Sequence, residues 1–353
     1  MGLMTGPTEE TPGLDLGAFR AWYDEQRPGE IAGDLSGSVI AGGRSNLTYE
    51  LTDGASWWIV RRPPLGHVQA TAHDMNREYT AMSALAGTDV PVPATYAHCP
   101  DPDVIGAPFY VMERVLGTAY RSSEQLAALG EERTARIAGE MVDVLARLHT
   151  VDPAAVGLAG FGRPAGFLER QVRRWGQQLE GSRTTDRPDA EELHRRLTAR
   201  VPVDDGRWVG IVHGDYRLDN LLTGDDDHVK AVVDWEMATL GDVRTDLALL
   251  LVYDRLASLP AAGLVSDVAN APGYPSGEEH LARYAAARGR DLGDIGQEFG
   301  WHLGLAYFKL AVILEGIQFR FLQGATVGEG FDQIGAGFDP LITAGLEALG
   351  EDH

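Results

Sequence analysis

Asp215, Asn220 and Asp234 are the residues of this chain whose types and spacing most directly suggest chemistry. An apolar lead-in, Val209, Ile211 and Val212, runs into His213-Gly214-Asp215, and Asn220 follows five residues after that aspartate. A polar turn over residues 224–227 comes next, and a second apolar stretch, Ala231-Val232-Val233, delivers Asp234. One carboxylate can orient an attacking hydroxyl and accept its proton, while a carboxamide and a second carboxylate are hard oxygen ligands suited to magnesium. Phosphoryl transfer asks for that combination, because its catalysis is mainly positioning and charge neutralisation. Two strands joined by the turn would bring all three side chains to one end of a hairpin. The plain alternative, a polar hairpin with Asp and Asn in turn positions, accounts for one such residue more easily than for three.

The flanking residues extend the pattern. His213-Gly214-Asp215 with Asn220, followed by VDWEMATLGDVRTDLALL over residues 233–250, resembles the aminoglycoside phosphotransferase and choline kinase superfamily. The resemblance is to the branch similar to the kinase-like domain fused to some acyl-CoA dehydrogenases. It begins near Ser38 with AGGRSNLTYEL, continues through IVRRPP, Arg77-Glu78-Tyr79 and FYVMERVLG, and reaches AVILEGI near the C-terminus. The Asp-to-Asn offset is that of a kinase catalytic loop, and Asp234 stands where a kinase carries the Asp of Asp-Phe-Gly.

The resemblance implies an α+β, two-lobed protein-kinase-like fold, with a small β-rich N-lobe over residues 14–115 and a larger, mainly helical C-lobe over 116–353. Residues 1–13 are expected to be a frayed tail. ATP and Mg2+ are the implied cofactors. Asp215 is then the catalytic residue, Asn220 and Asp234 the metal ligands, and His213 and Asp246 supports of the catalytic loop. On the nucleotide side the resemblance places Gly43, Ser45 and Asn46 in a phosphate-facing turn, where glycine permits close backbone approach. It puts Ile59 under the adenine, Arg61 at the position of the phosphate-binding lysine, Glu78 as that cation's partner, and Met112, Glu113 and Val115 at the hinge. Arg61 departs from the kinase pattern, since the only lysines of the chain are Lys230 and Lys309. Val243 stands where the family usually has proline, which should alter only a turn. Eleven residues separate Asp234 from Asp246 and no Ala-Pro-Glu follows. That leaves no room for a protein-kinase activation segment, so a small-molecule hydroxyl is the expected acceptor. Two further readings stay open: a nucleotide-binding pseudokinase that regulates a partner, and an antibiotic phosphotransferase.

The elements that must position these groups can be read from periodicity. Residues 14–26 carry a rough helical stripe, and residues 37–51 read as strand, turn, strand. Residues 57–62 form a strand stopped by Pro63-Pro64, in which Ile59 and Arg61 share one face and Trp58, Val60 and Arg62 the other. A helix over residues 70–85 carries Glu78, a strand over 109–112 leads to the hinge, and an amphipathic helix spans 133–150. Residues 161–200 read as polar helix and loop with a break at Arg187-Pro188, residues 256–275 as a mobile excursion, and residues 331–349 as a closing helix. One long helix over 295–323, with Trp301, His302, Lys309 and Glu315 among apolar residues, would turn a face to the substrate. It is too interrupted by charge for a membrane span.

Composition bounds the remaining classes. The 353 residues, 44% of them hydrophobic, suffice for two sizeable cores. A single cysteine, Cys99, excludes an intrachain disulfide and a multi-cysteine metal site, and makes a reducing, cytoplasmic setting the default. The first residues lack the basic start and apolar run of a signal peptide. A net charge of -22 argues against nucleic-acid or anionic-membrane partners, which need a basic footprint. It is compatible with a cationic substrate, although acidity spread for solubility explains it as well. Oligomeric state is not legible.

Overall fold

The computed structural model describes residues 11–40, 46–65, 74–257, 266–296, 298–324 and 331–350. The chain divides into two compact units. One runs to Leu116 and also takes in Val233–Glu236; the other comprises Gly117–Val232 and the chain from Met237 onward. Asp234 therefore belongs with the N-terminal unit, although chain order places it in the C-terminal lobe.

The first unit opens with helix α1 (Leu16–Gln26), whose start is fixed by the Asp15 carboxylate accepting from the N–H groups of Gly17 and Ala18. Five antiparallel strands follow in the spatial order β1 (Ser36–Val39), β2 (Leu47–Thr52), β3 (Trp57–Arg62), β5 (Phe109–Glu113) and β4 (Thr95–Cys99). Strand alternation sorts the side chains. Tyr49, Leu51, Trp58, Val60, Phe109 and Val111 join Phe19 and Tyr23 of α1 in one apolar core. Burying each of these large side chains contributes about 1.5–3 kcal/mol. The opposite face of β3 and β5 carries Ile59, Arg61, Tyr110 and Met112, with Ile59 opposite Met112 and Arg61 opposite Tyr110. Helix α2 (Met75–Leu85), capped by Asp74, packs against β4 and β5 and buries Glu78.

The second unit is mainly helical. It contains α3 (Ser123–Ala127), α4 (Glu131–Thr150), α5 (Phe167–Ser182) and α6 (Pro188–Ala199). Pro188 opens α6, as suits a residue that lacks an N–H. Two small antiparallel pairs interrupt the helices: β6 (Val209–Val212) with β9 (Thr239–Asp242), and β7 (Leu221–Thr223) with β8 (Val229–Val232). Then come α7 (Arg244–Leu256), α8 (Gly277–Ala287), α9 (Leu292–Gly296), α10 (Phe299–Leu322) and α11 (Phe338–Gly350).

Two sequence expectations change here. The hairpin around residues 224–227 is β7–β8, whereas the strand leading to His213 pairs with β9 instead. The apolar lead-in needs a partner buried on the same side, and Leu240 opposite Ile211 supplies it. The expected long helix starts only at Phe299, after Glu298 turns to a φ of 60°. Its polar residues face tertiary partners: Trp301 Nε1 donates to the Leu197 carbonyl at 3.0 Å, His302 Nε2 lies 3.1 Å from Asp242, and Arg187 Nη2 donates to Glu315 at 2.8 Å. Buried polar groups need such partners, and that need accounts for the charges. A helical turn over Phe331–Gly337 precedes α11. Among the described residues, no helix is long and apolar enough to cross a membrane.

Candidate active site

In the second unit the segment carrying Asp215 leaves β6 at Val212 and turns at Gly214, whose φ is +86°. A Cβ there would stand 2.8 Å from the Met237 carbonyl oxygen, so the position requires glycine on both counts. Asp246, in the first turn of α7 and fully buried, grips the loop's backbone: its carboxylate accepts from His213 N at 2.6 Å and Gly214 N at 2.8 Å. His149 Nε2 lies 3.2 Å from the same carboxylate, and its Nδ1 lies 2.7 Å from the Tyr284 hydroxyl. Burial acts to raise Asp246, but the His149 hydrogen bond, nearby charge and the Gly214 N–H hold it below the usual carboxylate range. Burial lowers His149, against the pull of Asp246. His213 is itself buried, and its Nδ1 accepts from Asp215 N at 3.3 Å.

Asp215 is addressed through both carboxylate oxygens. Oδ1 accepts the Tyr253 hydroxyl at 2.7 Å, and Oδ2 accepts Asn220 Nδ2 at 3.2 Å. The Asn220 amide also donates to the Asp215 carbonyl at 2.8 Å, so the five-residue spacing closes a small loop on itself. With its nitrogen turned to Asp215, the Asn220 amide presents its oxygen elsewhere, as a ligand must. Arg217 lies 3.8 Å from Asp215 and pairs with Asp219 at 2.6 Å. Lys309, from α10, donates to the Gly214 carbonyl at 2.7 Å. Burial acts to raise the Asp215 carboxyl, yet Arg217, the Tyr253 hydroxyl and Lys309 outweigh it and keep the group ionised. Burial lowers Lys309 in turn, against the attraction of Asp215 and Asp246. Beside this centre Arg217, Leu218, Leu250, Tyr253, Asp254, Ser266, Val268 and Tyr274 line a cleft.

The first unit holds the other cluster. Arg61 Nε lies 3.1 Å from Glu78 and Nη2 lies 2.5 Å from Asp234. Glu78, fully buried, also accepts Asn46 Nδ2 and the Tyr110 hydroxyl, each at 3.0 Å. Burial pushes the Glu78 carboxyl up to about 7 despite the pull of Arg61, while Glu78 holds the guanidinium charged against its own burial. Asn46 Nδ2 reaches Glu236 as well, at 3.2 Å. Asp234 adopts a φ of 68°, the left-handed region that Asp tolerates better than most residues. Oxygens of Glu78, Asp234 and Glu236 lie within 4.8 Å of one another, an all-oxygen set fit for a hard cation such as magnesium. Arg62 turns to the opposite face, where Nη1 donates to the carbonyls of Gly13 and of Ile105, the latter at 2.9 Å. Ile59 and Met112 are buried, and the Glu113 N–H donates to the Ala94 carbonyl at 2.8 Å. Val115 is half-buried just beyond β5. Gly43 and Ser45 lie outside the described residues.

The structure thus joins Arg61, Glu78, Asp234 and Asn46 in one unit, and Asp215, Asn220, His213 and Asp246 in the other. Sequence reasoning missed Tyr253 and Glu236, and it set Lys309 on a substrate-facing helix face without its tie to the Gly214 carbonyl. Tyr253 follows Asp246 by seven residues, two turns along one helix face, and that spacing was a usable signal.

The fold is α+β, with a β-sheet N-terminal region and a helical C-terminal region of protein-kinase type. The chain belongs to the phosphotransferase enzyme family, whose profile matches residues 36–287. It is 34% identical over 341 residues to the acyl-CoA dehydrogenase family member 11 of Homo sapiens, and 33% identical to that of Gallus gallus. Each alignment covers 95% of this chain and 43% of the relative, so the chain spans less than half the length of these curated proteins. A candidate aminoglycoside phosphotransferase of Ralstonia eutropha superposes with a TM-score of 0.82 at 33% identity, covering 96% of this chain and 98% of that one. An ethanolamine kinase of Plasmodium vivax shares the fold at 13% identity, TM-score 0.57, covering 93% and 85%.

Proposed function

We propose that this protein is a small-molecule kinase that transfers the γ-phosphoryl group of Mg·ATP to a hydroxyl of its acceptor. The observation that carries the reading is the Asp215 carboxylate, kept ionised in a half-buried loop and held by a donor on each oxygen. Such a group can orient an acceptor O–H and take its proton. Arg61 serves the phosphates as a permanently charged, two-pronged donor in place of lysine. Asp234 and Glu236 would hold magnesium, to which Asn220 is the further candidate ligand. Bound magnesium neutralises charge on the phosphate oxygens. Asn46, with Gly43 and Ser45, would serve the phosphates; Ile59, Met112, Glu113 and Val115 would serve the adenine.

The pseudokinase alternative drew its support from Arg61, yet the arginine makes the Glu78 pair that a kinase lysine would make. The antibiotic reading is narrower. Among the described residues lining the cleft beside Asp215, Asp254 is the one carboxylate; it accepts the Tyr274 hydroxyl at 2.9 Å and lies 3.1 Å from His280 Nδ1, so both its oxygens are engaged. Aminoglycosides are polycations and need several carboxylates. A reducing, cytoplasmic location without nucleic-acid or membrane partners completes the proposal, supported by a single buried thiol and the acidic charge. The test is a phosphorylation screen of a metabolite library with ATP and magnesium, read against an Asp215→Ala blank. Products that form equally with the blank would sink the reading.

A further inference from the structure

We propose that Tyr253 is the positioning residue of the Asp215 carboxylate, its hydroxyl fixing through Oδ1 the orientation in which the base meets its acceptor. The inference rests on the role given to Asp215 above and adds the group that aims it.

Residues 213–217 belong to no helix or strand, so the backbone alone leaves the Asp215 side chain free to turn. Its Oδ2 is held by Asn220 at 3.2 Å, a longer contact from an amide that also serves the Asp215 carbonyl. Oδ1 receives the Tyr253 hydroxyl at 2.7 Å, the shorter of the two contacts and one made to an ionised acceptor. The phenol is carried by α7, whose Asp246 binds the backbone N–H groups of His213 and Gly214. One rigid helix thus addresses the same loop twice. At residue 246 it fixes the main chain, and two turns later it fixes the side chain.

The ring has a second face to the problem. It lines the cleft with Leu218 and Leu250, and the Arg217 guanidinium stands 5.2 Å from its centroid. The residue that aims the base is therefore also a wall of the space beside it. Burial raises the phenol well above its ordinary value, so it stays a donor throughout the neutral range. Phenylalanine keeps the wall and deletes only the donor, which makes Tyr253→Phe the informative change.

The experiment compares wild type, Tyr253→Phe, Asp215→Asn and the double variant, using Mg·ATP with water as acceptor and phosphate release as readout. Tyr253→Phe should lower kcat roughly ten- to a hundredfold, the scale of an angstrom-sized misplacement, with KM for ATP within about twofold. The double variant should match Asp215→Asn alone, because a positioning group has nothing left to position. An unchanged kcat in Tyr253→Phe, or the same fractional loss in the Asp215→Asn background, would overturn the assignment. If instead wild type and Asp215→Asn release phosphate at one rate, the kinase reading fails. The crystal structure of Tyr253→Phe then decides separately: a displaced Asp215 carboxylate upholds the positioning role, and an unmoved one refutes it.

Discussion

Arg61 and Arg62 are adjacent, both buried, and should fail in opposite ways when cut to alanine. Arg61→Ala strips the cation from Glu78, whose side chain is 0% exposed and keeps Asn46 and Tyr110 as neutral donors. Breaking a buried pair on one side costs about 3–5 kcal/mol when the remaining charge stays. Glu78 has an escape, because burial already raises it to about 7 and losing Arg61 raises it further. The sign follows from that direction. A carboxyl raised above its unfolded value of 4.5 stabilises fully below that value, and the contribution is lost as pH rises through about 7. In Arg61→Ala the loss continues to higher pH, so the penalty grows by up to about 1.4 kcal/mol per unit above 7 until the carboxyl ionises. Arg62→Ala removes a cation from carbonyl oxygens, with no carboxylate in its hydrogen bonds among the described residues. At about 1.5–3 kcal/mol for a hydrogen bond to a charged group, it should lose roughly 2–4 kcal/mol at every pH.

Urea unfolding of both variants at pH 6, 7, 8 and 9, with calorimetric titration of Mg·ATP, reads the two effects apart. Arg61→Ala should show a penalty that widens with pH and an ATP affinity lower by about 1–3 kcal/mol, or five- to over a hundredfold. Arg62→Ala should show a flat penalty and native affinity. A flat profile for Arg61→Ala would mean that Glu78 does not titrate as its burial demands. Loss of ATP binding in Arg62→Ala alone would put the wrong arginine on the nucleotide face.

Asp215→Asn should leave folding and ATP affinity nearly intact and cut turnover at least about a hundredfold; turnover like wild type in a coupled assay would remove Asp215 from the mechanism. Asp234→Ala should weaken Mg·ATP binding and activity together while metal-free ATP binds as before, and equal magnesium dependence by calorimetry would count against its role as ligand. Lys309→Met replaces the ammonium with an apolar chain of similar reach and leaves the Gly214 carbonyl without its donor, so stability should fall by about 1–3 kcal/mol. The Asp215 carboxyl loses one of the cations that lower it, and the acid limb of the rate profile should move to higher pH; a limb that stays in place refutes that coupling.

The fold was legible wherever one local rule sufficed. Alternation along β3 placed Arg61 and Arg62 on opposite faces, and the structure gives Glu78 to one and backbone carbonyls to the other. Helical periodicity found α4, and the Pro188 break divided α5 from α6. The rest depended on partners far apart in the chain. That β6 pairs with β9 rather than with the nearer strand is decided by which apolar faces meet, and a turn signal at residues 224–227 cannot report it. Lys309 and Glu315 read as a functional face because charges on an apolar helix suggest a ligand. Their partners, the Gly214 carbonyl and Arg187, lie 95 and 128 residues away. The motif thus gathers the proposed base and metal ligands, Asp215, Asn220 and Asp234, within 26 residues from Ile211 to Glu236. It cannot disclose the groups that hold them, because a brace is defined by what it touches. Tyr253 is the instructive middle case, remote from Asp215 by 38 residues yet on the same helix as Asp246, so one brace already recognised points along its own helix to the next.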